Sequence, residues 1–253
     1  MIWDQLTSEA IGKLDRDIPV VLPIAATEQH GYHLPVATDR MIGEHLATGL
    51  DQVMGERVLV LPVIGVGCSD HHMDFPGSLT LSHETFARQV KDIVGSVIHH
   101  GFRRILLLNS HGGNQGIGQV LVEQLGTAHP DCHIAMASWW KTALKELEAI
   151  CESGPGGVGH ACEIETSLML LIAPELVVTE RIEPKSNIPT FDWAEGDLLR
   201  APIVSYFRTL KEMAPNGVYG EPEKASAEKG QRISDCVVKA LQGIISDFAK
   251  APR

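Results

Sequence analysis

The chain has 253 residues, of which 44% are hydrophobic and 21% charged, and it carries a formal net charge of -11. That length can bury a sizeable core, and the composition is that of a folded soluble chain rather than a disordered one. The acidic balance excludes a nucleic-acid phosphate backbone as the natural partner, since such partners are met with basic patches.

The opening segment, MIWDQLTSEAIGKLD, carries acids and no apolar core run, so it reads as mature protein rather than a signal peptide. No apolar run approaches the ~20 residues that span a bilayer, and no membrane is expected. The five cysteines are widely spaced, with no CxxC pair, which suits reduced thiols in a cytoplasm.

In chain order, Leu6 to Leu14 reads as a short amphipathic helix and Pro19 to Ala25 as a buried strand. That strand runs into EQHGYHLPVATD, which supplies Glu28, His30, His33 and Asp39 around an irregular turn marked by Gly31 and Pro35. Asp39 to Met54 carries a helical apolar stripe, and Arg57 to Val63 reads as the next strand, with Pro62 near its end. A long loop follows, GVGCSDHHMDFPGSLTLS, of the kind that tends to be functional.

His83 to His100 reads as a helix stopped by Gly101, and Arg104 to Asn109 as a third strand. That strand enters SHGGNQG and a helix from about Gly116 to Thr127, before a fourth strand at Cys132 to Ser138. The recurring strand, helix, strand pattern predicts an α/β fold with a parallel sheet covered on both faces. Loops at the carboxyl ends of such strands build binding sites. Four candidates for one pocket are therefore the EQHG cluster, the SDHH loop, SHGGN and Trp139-Trp140.

Lys141 to Cys151 is expected to be a helix. After the loop SGPGGVG, His160 opens HACEIETSLMLLI, with Glu163 and Glu165 at the start of an apolar helix. Pro184 to Tyr219 lacks periodicity and is expected to be an excursion that covers the site or meets another subunit. Ala225 to Ala249 reads as a last amphipathic helix. No linker or repeat divides the chain, so one domain, 1–253, is expected.

Two carboxylates and two imidazoles at a strand end suit zinc, manganese or iron. Glu28 and His30, at i and i+2, point to the same side and can each give an atom to neighbouring cations, while Asp39 can bridge them. A pair of cations about 3.5–4 Å apart activates water, polarises a carbonyl and orients a substrate. The bland alternative is a polar turn that caps the following helix. His33 is expected to be a hydrogen-bond partner of a ligand, Cys162 a packing residue, and one of Trp139 and Trp140 a core residue. Glu163 is equally compatible with solvent and with a metal. In the long loop, Ser69 and His72 are candidates for shaping the substrate pocket, though His71 and His72, being adjacent, are not both expected to face it. Gly112 and Gly113 would let backbone amides approach the substrate.

The ordered set EQHGYHLPVATD, FPGSLTLS, NSHGGNQG, HACEIETSLML and GVYGEPEKASAEKG resembles the successive motifs of the creatininase family of metal-dependent amidohydrolases, from about Leu22 to Gly230. The resemblance implies a three-layer α/β/α fold with a mostly parallel central sheet. It implies two divalent metal ions per subunit (Zn, Mn or Fe). Glu28 and His111 would hold one, His30 and Glu165 the other, and Asp39 both. His160 would carry a proton at the scissile bond, and the substrate would be a small cyclic or linear amide. Hexamers are the family's assembly, so a homo-oligomer is expected. Enzymes acting on creatinine itself have H-Y-E at the strand-end His, where this chain has His111, Gly112 and Gly113. They also carry a Trp shortly before the proton-carrying His, where this chain has GPGGVG, whereas Trp140 is similar in place to another substrate-side Trp. Creatinine is therefore disfavoured, and water or Glu163 is expected in the vacated ligand place. Rival expectations are a deformylase-like or peptide-trimming enzyme and a non-catalytic metal- or ligand-binding module.

Overall fold

The structure, a computed structural model, describes residues 1–252. Four strands, β1 (Val20–Ile24), β2 (Leu59–Val60), β3 (Arg104–Asn109) and β4 (His133–Ser138), form one sheet in the order β2-β1-β3-β4, every pair parallel. Alternate side chains of the buried strands go to opposite faces. Val21, Leu106 and Leu108 pack on α2 (Thr38–Met54), α7 (Glu163–Ile172) and α9 (Ala227–Phe248). Val20, Leu22, Ile24, Ile105 and Leu107 pack on α3 (His83–His99) and α4 (Gln115–Ala128). The fold is thus α/β with helices on both faces of a parallel sheet, as the continuous apolar strands require. Each such side chain, fully removed from water, stabilises the fold by roughly 1.5–3 kcal/mol relative to exposure.

Helix ends follow the local chemistry. Ser82 caps α3 by accepting from Thr85 N at 3.2 Å, and Ser226 caps α9 by accepting from Lys229 N at 3.2 Å. The first helix, α1 (Ser8–Gly12), is capped in the same way by Thr7.

Two elements differ from expectation. The strand expected over Arg57 to Val63 is paired only at Leu59–Val60. Gly55–Arg57 is a 3-10 turn, and Pro62 has no N–H to continue the ladder. The helix expected over Lys141 to Cys151 is two, α5 (Trp139–Thr142) and α6 (Leu144–Ile150), broken at Ala143 with φ -127° and ψ 43°. Trp139 and Trp140 therefore do not alternate across a strand end. Both are buried, their rings meeting edge-on at 5.5 Å.

Pro184 to Tyr219 is irregular apart from the single helical turn α8 (Leu210–Met213) and its last residue, which enters a strand. Its end pairs with the segment before α7: β5 (Val158–His160) is antiparallel to β6 (Tyr219–Gly220). This short strand pair ties the end of the excursion to the segment that carries His160. Among the described residues, no helix is long and apolar enough to cross a membrane.

Candidate metal centre

From β1 the chain moves outward to β2, then crosses back past β1 to β3, so β1 and β3 flank the point where the strand order reverses. Loops part at such a point and leave a crevice at the strand ends. Glu28 and His30 follow β1, His111 follows β3, and Asp39 lies in the first turn of α2. Glu165 lies in the first turn of α7. All five are buried. The crevice opens into a cavity of about 300 Å³ whose lining includes Glu28, Asp39, His111, His160 and Glu165.

The imidazoles are oriented by main-chain carbonyls, which can only accept. His30 Nδ1–H donates to Glu28 O at 3.1 Å, which turns Nε2 to Asp39 Oδ1, also at 3.1 Å. His111 Nε2–H donates to Cys68 O at 3.0 Å, which turns Nδ1 to Asp39 Oδ2 at 3.0 Å and Glu28 Oε1 at 3.3 Å. Asp39 thus offers one oxygen to each imidazole. A metal-ligating histidine typically has this arrangement, with its distal N–H held by a carbonyl and its other nitrogen facing the carboxylates.

The donor set fits a divalent cation on a second count. Glu28 Oε2 and Asp39 Oδ2 are buried and make no hydrogen bond of good geometry. An unpaired buried carboxylate oxygen is costly unless a cation is its partner. Three groups bring their ligand atoms within 4.8 Å of one another: Glu28 with Asp39 and His111, His30 with His160 and Glu165, and Glu28 with His72 and His160.

Charge follows the same geometry. Burial alone would lower the His30 pKa, but Asp39, then Glu165 and Glu28, raise it to about 9. Burial also opposes the His111 cation, yet Glu28 and Asp39 hold its pKa well above the usual value. Burial raises Glu165 to about 7, against the pull of His30. In the ion-free chain, protons on His30 and His111 stand where positive charge is needed.

His160 ends β5 and packs its ring on His30 at 4.2 Å. Its Nε2–H donates to Gln29 O at 2.7 Å, and Nδ1 lies 3.7 Å from Glu28 Oε1. Burial, reinforced by the His30 charge, lowers its pKa to about 3. Ala161, next in sequence, has φ 50°, a left-handed backbone that alanine rarely adopts, at the corner between this strand and α7.

Other expected site residues divide. His72, Gly112 and Trp140 line the cavity, and His71 lines it beside His72. Ser69 is not among the lining residues. Its hydroxyl is buried behind His111, 3.4 Å from Nε2, and its N–H bonds Thr80 Oγ1. Gly113 is likewise not among them. A Cβ there would meet Cys68 O at 2.1 Å and His111 Nε2 at 2.5 Å, so its bareness lets the long loop close on His111. Asn114 ties the same loop down, accepting from Cys68 N and donating to Ala25 O, both at 3.1 Å. His33 bonds Thr166 Oγ1 at 2.9 Å, away from the cavity lining.

Glu163 is neither solvated nor turned to the cluster. It accepts from the N–H groups of Glu152 and Ser153 and the Ser153 hydroxyl, and pairs with Lys229 Nζ at 2.5 Å. Against the opposing effect of burial, these donors lower its pKa. Lys229→Ala would leave this carboxylate buried without its cation. It is expected to destabilise the chain by about 3 kcal/mol in urea unfolding, and an unchanged midpoint would contradict that.

Residues without a sequence signal also line the cavity. Leu198, Tyr206, Leu210, Met213 and Tyr219 come from the irregular excursion and, beside Asp197, add a largely apolar part to the cavity lining. That part of the excursion covers the site.

The family model described as "Creatininase: Creatinine amidohydrolase" matches residues 4–245. The chain is 29% identical to the creatinine amidohydrolase of Pseudomonas putida over 248 residues, covering 91% of this chain and 90% of that protein. It is 30% identical to the mycofactocin precursor peptide peptidase of Mycobacterium ulcerans (strain Agy99), covering 86% and 82%. Among solved structures, a mutant creatininase of Zn-Zn type superposes with a TM-score of 0.79 at 25% identity, over 97% of both chains. The chain belongs to the creatininase family and is a hydrolase of that family.

Proposed function

We propose that this member of the creatininase family is a dinuclear metal-dependent hydrolase of a non-peptide C–N bond in a small cyclic or linear amide. In this reading Glu28 and His111 hold one ion, His30 and Glu165 the other, and Asp39 both. The observation that carries it is the pair of oppositely turned imidazoles, each held by a carbonyl and each facing one oxygen of Asp39. Divalent ions bound there supply Lewis acidity and acidify water. The chain's own groups do the rest. The carboxylates and imidazoles would fix the ions, the wall from Leu198 to Tyr219 limits the entry of water, and His160 takes up on Nδ1 the proton that the attacking water loses and carries it to the leaving nitrogen.

Zinc and manganese are the candidate ions, and the zinc form of a similar creatininase supports the first. Uptake must displace the protons on His30 and His111, so it is expected to release protons and to strengthen as pH rises from roughly 6 towards 9, the raised pKa of His30. Calorimetry in buffers of different ionisation enthalpy checks this; an affinity flat across that window would contradict it.

The bond cleaved is the finer question. Gly112 and Gly113 stand where creatinine-hydrolysing enzymes have Tyr and Glu, which speaks against creatinine itself. A peptide-trimming activity is the second reading, supported by the 30% identity to a peptide peptidase. A panel of formamides, lactams and short peptides, assayed with the zinc- and manganese-loaded chain, separates them. Turnover of lactams or simple amides alone supports the first reading, and turnover of peptides alone replaces it.

A further inference from the structure

Between the two residues proposed to face the ions, Glu28 and His30, lies Gln29, which is buried and makes five polar contacts with side chains or through its own, among them a 3.3 Å approach of its Nε2 to His160 Nε2. Gly31 N donates to its Oε1 at 2.9 Å. Because a backbone N–H can only donate, this bond fixes which end of the carboxamide is oxygen and which is nitrogen. The nitrogen end lies 3.1 Å from His72 Nδ1. An amide nitrogen can only donate, so His72 Nδ1 must accept, and the neutral ring carries its hydrogen on Nε2. That nitrogen lies 3.3 Å from Glu28 Oε1, a polar contact that His111 Nδ1 also makes at 3.3 Å.

We propose that Gln29 and His72 are positioning residues: a directed chain, made of the hydrogen bonds Gly31 N–H to Gln29 and Gln29 to His72 and then the 3.3 Å contact of His72 Nε2 with Glu28, holds Oε1 of Glu28 and leaves its Oε2 for the ion. This rests on the metal reading above, and it assigns His72 a role other than ligation, although its ring nitrogen lies within ligand distance of Glu28 and His160. The unpartnered state of Glu28 Oε2 is what such a chain produces. The main-chain carbonyl of Gln29 accepts from His160 Nε2–H, so one residue sets the hydrogen placement of the His72 and His160 rings, while Cys68 O sets that of His111, the third ring beside Glu28. Its clamp is enforced from outside. Gly217 lies so close that a Cβ there would meet Gln29 Oε1 at 2.2 Å.

The test uses the full chain with 15N-labelled histidine and zinc affinity by chelator competition. His72 is identified by the signals lost in His72→Gln. In the wild-type chain, His72 is expected as the Nε2–H tautomer. Gln29→Glu puts an acceptor where the donor stood, so His72 should take a proton on Nδ1 and zinc affinity should fall about 10–100-fold, the usual effect of losing an outer partner of a ligand. His72→Leu should fall by a similar factor. His72→Gln, whose amide nitrogen replaces Nε2–H, should stay within about threefold, the scatter expected for a retained outer partner. A wild-type His72 carrying its proton on Nδ1, or equal zinc affinities for His72→Leu and His72→Gln, overturns the proposal while leaving the metal centre standing. A wild-type chain that binds no zinc or manganese overturns the metal reading and this inference with it.

Discussion

Asp39→Ala is expected to remove both ions and lower hydrolysis by on the order of 10³-fold or more, the scale of losing several kcal/mol of Lewis-acid stabilisation. Asp39 has this leverage because it touches both halves of the cluster, with Oδ1 at His30 and Oδ2 at His111. Replacing His111 alone would leave His30 and Glu165 together, and replacing His30 alone would leave Glu28 and His111. Only the change at Asp39 disables both. The folded chain should survive it, since Asp39 sits in the first turn of α2 and the helix is held by Ile42, Leu46 and Leu50 in the core. Elemental analysis and activity on the same preparation check this. A variant that keeps two ions or near-normal activity would show that Asp39 does not bridge.

His160→Ala is expected to lower kcat by about 10²–10⁴-fold, the usual contribution of a positioned proton carrier, with ion content unchanged. The distinction matters because His160 is near enough to both Glu28 and Glu165 to ligate. Its hydrogen placement speaks for the proton role. Nε2–H is committed to Gln29 O, and Nδ1 stands 3.7 Å from Glu28, farther than His111 Nδ1 at 3.3 Å. Loss of one ion along with the activity would make His160 a ligand instead. Loss of kcat with KM and ions retained would keep it beside the reacting bond.

The sheet was legible in the sequence because its strands are continuous apolar runs and its helices carry regular stripes. Val20–Ile24, Thr38–Met54, His83–His99 and Arg104–Asn109 lie within a residue or so of their expected limits. The pairing of Val158–His160 with Tyr219–Gly220 was not legible, since strands of two or three residues carry no alternation to read. Residue types marked Glu28, His30 and Asp39 as candidates, with two carboxylates and an imidazole at a strand end and a helix start, and the likeness to the creatininase-family motifs completed the set with His111 and Glu165. Type alone misdirected the expectations for Ser69 and Gly113, which support His111 from behind the cavity wall. Glu163 was ambiguous for a related reason: its cation, Lys229, lies 66 residues away in sequence. The part played by Gln29 depends on which atoms donate and accept, and spacing does not encode that.

The creatininase-family hydrolysis argued here stands or falls on two ions sharing Asp39. The most direct measurement is a crystal structure of the zinc- or manganese-loaded chain with anomalous scattering at the metal edge. Two peaks per chain are expected, one against Glu28 and His111, the other against His30 and Glu165, with Asp39 giving one oxygen to each. A single peak, or peaks that leave Asp39 without a metal contact, would contradict the account.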